Sequence, residues 1–253
     1  MSTVLNIAAY RFVPLRNLPD WKAQLSARAE SLDLKGTVLL AEEGLNLFLA
    51  GSPTPIREWL SWLCHLSDAD GSQPFHGLKA KESWSDSVPF RRLRVRIKRE
   101  IIRMNLPTVI PAAGRAPAVE AATLARWLDQ GQDDEGRPVV TLDTRNQFEV
   151  DEGTFEGAID WGLSKFSDFP RALAAHADEL RNKTVVSFCT GGIRCEKAAL
   201  VMREAGLTHV FQLEGGILQY FEDTAGAPHW RGRCVVFDER GSLDVYLDPR
   251  EGC

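Results

Sequence analysis

The stretch Thr184-Val185-Val186-Ser187-Phe188-Cys189-Thr190-Gly191-Gly192-Ile193-Arg194-Cys195-Glu196-Lys197-Ala198-Ala199-Leu200-Val201-Met202 decides how this chain is read. Residues 184–188 form a short apolar run, which predicts a buried strand. Residues 195–202 predict a helix. Cys189 therefore falls on a tight strand-to-helix turn, where glycines let backbone N–H groups face inward. The start of the helix adds positive potential at the same point. That setting lowers a thiol pKa and stabilises an anion resting on the sulfur.

Four residues separate Cys189 from Arg194. A cysteine phosphatase loop has five, because it must cradle a phosphate, and position 195 here is Cys, so that spacing is not met. The shorter turn suits a smaller species on sulfur, such as a persulfide or another sulfur or oxygen adduct. Around the turn, helices and strands alternate: a helix over 119–128, strands over 138–142 and 209–213, and a helix over 168–180. This is α/β with a largely parallel sheet, whose sites lie at the carboxyl ends of strands. Asp143 and Cys189 both sit at such ends.

The first hundred residues read differently. Strands are expected over 5–13, 36–41, 45–50 and 93–101, and helices over 18–32, with Asn17 as its cap, and over 54–66. The order β-α-β-β-α-β is that of a ferredoxin-like α+β domain. In the last strand Leu93, Val95 and Ile97 alternate with Arg94, Arg96 and Lys98, which puts the basic residues on the face away from the core. The expected boundaries are a ferredoxin-like domain over 1–106, a Pro-containing linker over 107–117, an α/β domain over 118–227 and a C-terminal extension over 228–253.

Composition narrows the classes. The chain has 253 residues, 44% hydrophobic and 26% charged, which is ordinary for a globular protein of two domains. No apolar run is long enough to cross a membrane, and Met1 to Asn6 lacks the basic-then-apolar pattern of a signal peptide. Five cysteines without a framework pattern suit a reducing cytoplasm. There is no C-x-x-C pair and the histidines do not cluster with the cysteines, so no metal site is expected. Residues 1–110 carry 15 Lys and Arg against 11 Asp and Glu; residues 111–253 carry 15 against 24, giving net charges of +4 and −9. Arg91, Arg92, Arg94, Arg96, Lys98, Arg99 and Arg103 concentrate the basic excess. They form either a solvated strand face or a surface for a phosphate backbone.

Several ordered motifs resemble the rhodanese fold. Cys189 to Arg194 resembles its active-site loop, and Asp143-Thr144-Arg145, Glu149 and residues 153–159 resemble its D-x-R…E…G-x-I-x-G-A segment. Leu213-Glu214-Gly215-Gly216-Ile217 resembles its last turn. The longer string from Phe188 to Ala198 resembles one subfamily, the bacterial tRNA uridine hydroxylases (the TrhO family). Lys35-Gly36-Thr37-Val38-Leu39-Leu40-Ala41-Glu42-Glu43-Gly44-Leu45-Asn46, Phe90-Arg91-Arg92-Leu93, Lys98-Arg99-Glu100-Ile101 and residues 232–240 are similar to further segments of it. Leu47-Phe48 departs from the Gly-Thr that many members carry there. The resemblance implies oxygen-dependent hydroxylation of the wobble uridine (position 34) of tRNA to 5-hydroxyuridine, with molecular oxygen as co-substrate and tRNA as partner. No other cofactor and no protein partner are expected.

Cys189 is thus the expected catalytic residue, in a loop of Thr190, Gly191, Gly192, Ile193 and Arg194. Its thiolate either adds to C6 of uracil and makes C5 nucleophilic, or is itself oxidised and carries the oxygen. Arg194 binds the anion or sulfur species, or else caps a neighbouring loop. Cys195 is a resolving thiol or packs. Asp143 and Arg145 are either a structural pair that supports and orients the loop or catalytic groups. Glu196 and Lys197 pair with the loop or substrate, or lie in solvent. Cys64, Cys234 and Cys253 are expected to be non-catalytic. Trp84 and Trp230, in polar surroundings, are the candidates for base stacking. The rival readings are a persulfide-carrying sulfurtransferase and a non-catalytic RNA-binding module.

Overall fold

The structure, a computed structural model, describes residues 3–249. Cys253 lies outside the described residues. The chain passes from one compact unit to a second between Ile102 and Arg103.

In the first unit, period-two alternation sends one side of each strand into a core closed by two helices. The elements are β1 (Val4–Phe12), α1 (Leu18–Ser31), β2 (Lys35–Ala41), β3 (Gly44–Gly51), α2 (Pro53–His65), β4 (Lys81–Ser85) and β5 (Leu93–Ile97). Trp21, Leu25 and Ala29 of α1 and Ile56, Trp59 and Leu63 of α2 lie at helical spacing, and all are buried against Leu5, Ile7, Val38, Leu40 and Leu49. Each such Leu or Ile contributes about 1.5–3 kcal/mol by leaving water. The sheet order is β4-β1-β3-β2-β5. The sixth element of the β-α-β-β-α-β unit is therefore β4, antiparallel to β1, and not the basic strand. β5 is an added edge strand, parallel to β2. Asn17 occupies the position before α1, but in a left-handed conformation and without a side-chain cap; its carbonyl accepts the N–H groups of Asp20 and Trp21 instead.

In the second unit come β6 (Ala118–Val119), α3 (Ala121–Gln130), β7 (Val139–Asp143), α4 (Gln147–Val150), β8 (Gly153–Phe155), α5 (Phe169–His176), β9 (Thr184–Phe188), α6 (Ile193–Glu204), β10 (Val210–Leu213), α7 (Gly216–Asp223), β11 (Trp230–Gly232), β12 (Cys234–Val235) and β13 (Ser242–Leu243). The sheet β6-β10-β9-β7 is wholly parallel. All five residues of β9 are buried, as expected of a central parallel strand covered on both faces. Two expected boundaries change here. In the stretch expected to be a linker, Val109, Pro111 and Ala116 are buried, with Pro111 opening a short 3₁₀ turn that packs into this unit. The C-terminal stretch is likewise no appendage: β11 pairs with β8, and Trp230 packs edge-on against Phe155 and Phe221. That burial removes Trp230 as a stacking surface for a nucleobase. Among the described residues no helix is long and apolar enough to cross a membrane.

Candidate functional site

Cys189 follows the last residue of β9, so the strand's own direction delivers it to the carboxyl edge of the sheet. Gly192, at φ +93°, turns the chain directly into α6. The Gly192 N–H donates to the Cys189 Sγ over 3.1 Å, and the backbone N–H groups of Arg194 and Cys195 also converge on the sulfur. The opposite side of the turn is held by α7. Ile217 and Leu218 N–H donate to the carbonyls of Cys189 and Thr190 at 3.0 and 3.1 Å. Those carbonyls are thereby pulled away from the sulfur, which leaves the inner side of the turn lined by donors. Gly216 sits at φ +70°, and a Cβ there would lie 2.5 Å from the Cys189 carbonyl oxygen. The Glu-Gly-Gly segment after β10 is thus a backing plate for the thiol turn.

The electrostatics follow from this packing. Cys189 is fully buried, and burial alone pushes its thiol up. The Cys195 thiol that hydrogen-bonds to it, the nearby Arg194 charge and the inward N–H groups outweigh burial and bring it down to about 6. Cys195, equally buried, is pushed well up by desolvation and by the adjacent Cys189 sulfur. One sulfur is thus the thiolate and its neighbour the hydrogen-bond donor. Thr144 Oγ1 lies 3.7 Å from the Cys195 Sγ and bonds the Phe188 carbonyl at 2.9 Å, which fixes the second thiol. Cys234, beside Thr190 and Arg145, is pushed up to about 12 by burial, so it stays neutral.

Arg194 does not reach for an open anion site. Its two terminal nitrogens grip Glu149 bidentately at 2.6 and 2.7 Å, with both groups buried. Glu149 also accepts the Asn146 N–H at the start of α4. The guanidinium acts on the sulfur through its charge, and Glu149 holds it in place. Asp143 and Arg145 form a second buried bidentate pair, at 2.9 and 2.6 Å, with Thr154 Oγ1 on Asp143 and the Gly153 carbonyl on Arg145. The Arg145 guanidinium packs against both the Phe188 and Trp230 rings, 5.8 and 5.4 Å from their centroids. This pair ties β7, β8 and β11 together. Glu196 and Lys197, for which solvent exposure was one reading, are both buried in α6. Arg115, 2.9 Å from both Glu196 and Glu214, bridges α6 to the backing turn, a link no local sequence signal announces.

In the first unit Arg91, Arg92, Arg94, Arg96, Lys98 and Arg99 are all exposed, while Leu93 and Val95 pack on the core. The strand is anchored at its exit. Lys98 N–H bonds the Leu40 carbonyl, Ile101 N–H bonds Glu43 Oε1 at 2.7 Å, and Asn46 donates to the Ile101 carbonyl at 3.2 Å. Trp84 is 42% exposed, but it stands on β4, the opposite edge of the sheet from the basic strand. Leu47 and Phe48 lie within β3.

A donor-lined Cys turn at the carboxyl edge of a parallel sheet, backed by a Gly-Gly helix start, is the site of a rhodanese-like domain. Residues 121–223 match the family described as Rhodanese-like domain, and residues 4–101 match the UPF0176 acylphosphatase like domain. Along nearly its full length the chain is 62% identical to the tRNA uridine(34) hydroxylase of Bordetella petrii, covering 98% of this chain and 96% of that one. It is 58% identical to that of Delftia acidovorans (98% and 93% covered) and 57% to that of Variovorax paradoxus (99% and 92%). The chain belongs to the tRNA uridine(34) hydroxylase family.

Proposed function

We propose that this chain hydroxylates the wobble uridine, position 34, of tRNA to 5-hydroxyuridine, and that Cys189 is the reacting group. The observation that supports this chemistry most directly is the preformed Cys189 thiolate inside a ring of backbone N–H donors. The thiolate adds to C6 of the extruded uracil, and the C5=C6 electron pair moves toward C5 and O4. C5 then takes one oxygen atom from molecular oxygen. The other leaves as water, with two electrons and two protons from a reductant. Loss of the C5 proton expels the thiolate and restores the C5=C6 bond. The inward N–H groups stabilise the sulfur in its anionic form at both ends of the cycle.

The exposed basic strand β5 is the surface we assign to the tRNA backbone, since paired arginines on a half-exposed strand neutralise phosphates without reading sequence. Free thiols at Cys64, Cys189, Cys195 and Cys234 fit a cytoplasmic protein. The deciding experiment is expression in a bacterial host that lacks its own wobble-uridine hydroxylation, followed by nucleoside mass spectrometry of its tRNA. 5-Hydroxyuridine appears with the native chain and not with Cys189→Ser. Modification by the serine variant removes the thiol from the mechanism, and none by the native chain returns the domain to sulfur transfer.

A further inference from the structure

Two large aromatic side chains in the second unit stand in water. Phe237 is 50% exposed and Phe148 is 53% exposed. Single exposed apolar residues are common and carry no message alone; the positions of these two do. Phe237 lies with the Arg194 guanidinium 5.8 Å from its ring centroid, and Arg194 is the charge beside the Cys189 sulfur. Phe148 directly precedes Glu149, the carboxylate that grips Arg194. Phe237 thus lies against the buried Arg194–Glu149 ion pair, and Phe148 is one residue from it along α4.

The scaffold behind Phe237 is stiff. Asp238 and Arg240 close a buried bidentate pair at 2.8 and 2.6 Å, Val236 N–H bonds the Gly241 carbonyl, and β12 pairs with β13 on the far side. Thr190 Oγ1, in the turn itself, reaches the Val235 carbonyl at 3.4 Å. A fixed ring costs little entropy when a ligand lies on it. The terminal nitrogens of Arg194 hold Glu149 and the inward N–H groups face the sulfur, while Arg194 Nε has no hydrogen-bond partner. Beside that single N–H, the rim offers a flat, splayed-out base a π-face, the common means of holding unstacked nucleobases.

We propose that Phe237 is the stacking platform for the uracil that Cys189 attacks, with Phe148 as a second aromatic at the same rim. The proposal rests on the wobble-uridine reading above. Because Cys189 has no exposed surface in the base-free chain, the uracil reaches the sulfur as it docks on Phe237 and the rim opens around it.

The test expresses Phe237→Ala, Phe237→Leu, Phe237→Tyr and Phe148→Ala in the same hydroxylation-deficient host and follows the initial rate of 5-hydroxyuridine formation after induction. Loss of one base–aromatic stack lowers the rate about tenfold or more for both Phe237→Ala and Phe237→Leu, since leucine keeps the bulk but not the π-face. Phe237→Tyr keeps most of the rate. Phe148→Ala lowers it by a smaller factor. In the purified variants, tRNA affinity stays within about twofold, because phosphate contacts dominate it, and the pH midpoint of Cys189 alkylation does not move. Native rates with Phe237→Leu overturn the proposal. So does an alkylation midpoint that moves in step with the lost rate, because the ring would then act through Arg194 alone. If the native chain forms no 5-hydroxyuridine in that host, it is the wobble-uridine reading that has failed.

Discussion

Around Cys189 the polar groups are buried and their partners fixed: three backbone N–H groups on the sulfur, Cys195 beside it, Glu149 on Arg194 and two α7 N–H groups on the outer carbonyls. Along β5 the guanidinium and ammonium groups of Arg94, Arg96 and Lys98 stand in solvent, and what is fixed is the backbone beneath them. The two regions serve different energetics. In a buried site each partner is irreplaceable, because the group it leaves behind has no water to turn to. On an exposed strand each charge is one of several, screened by salt and able to reorient. Single substitutions should therefore act sharply in the second unit and gradually in the first.

The sharpest case is Cys189→Ser, which removes a thiolate that no neighbour supplies. 5-Hydroxyuridine falls to the host's background, while Cys64→Ser, in α2 of the first unit, leaves the rate intact. Equal losses from the two substitutions would erase the contrast between the regions. Next comes Glu149→Gln. Arg194 is left as a buried charge without its counter-charge, which costs about 3–5 kcal/mol of folding stability. Urea unfolding followed by tryptophan fluorescence measures the loss. A cost under about 1 kcal/mol, the range of exposed ion pairs, would mean that the pair is solvated.

Cys195→Ala is subtler. It deletes the thiol that donates to the Cys189 sulfur, so the Cys189 pKa rises from about 6 toward the ordinary thiol range. The native chain alkylates fully above that value and loses reactivity as pH falls through it. The variant needs a higher pH to reach half its maximal rate. Iodoacetamide rate against pH, with Cys189 followed by peptide mass spectrometry, reads the midpoint. An unmoved midpoint would leave Arg194 and the backbone N–H groups as the whole cause.

Sequence makes the two regions unequally legible. The Cys189 turn is local: strand, Gly-Gly and helix follow one another within about a dozen residues, and its chemistry follows from that order. The alternation of Leu93, Val95 and Ile97 with Arg94, Arg96 and Lys98 is local as well, so its exposed face is readable. Its place in the sheet is not. β4, Lys-Glu-Ser-Trp-Ser, is short and polar and lacks the β-branched signal of a strand, so β5 reads as the closing element. The Glu149–Arg194 grip spans 45 residues, and only the tertiary fold turns it from an anion binder into a fixed charge. Trp230, set between His229 and Arg231, reads as a surface residue until β11 pairs with β8 and buries it. Phe237 carries no sequence signal of its own, and only the structure sets it beside Arg194.

The smallest single effects belong to β5, where the contrast with the thiol turn can be counted. Arg94 and Arg96 lie two residues apart on one face, opposite Thr37 and Leu39 of β2, and Lys98 continues the same alternation. Each neutralised phosphate contributes about 0.7–0.9 to the slope of log affinity against log salt. Arg94→Ala alone should weaken tRNA binding only a few-fold, with a slope change of about one. Replacing Arg94, Arg96 and Lys98 together by Ala should lower the slope by about 2–3, roughly additively. Filter binding across a salt series measures both. Cys189 alkylation is unchanged throughout, because the thiol's environment is built wholly within the second unit. A triple variant with the native slope would return β5 to a solvated face. A single variant as damaging as the triple would mean that one of these charges is held as firmly in place as Arg194, and the distinction between a distributed surface and a fixed site would not hold for this strand.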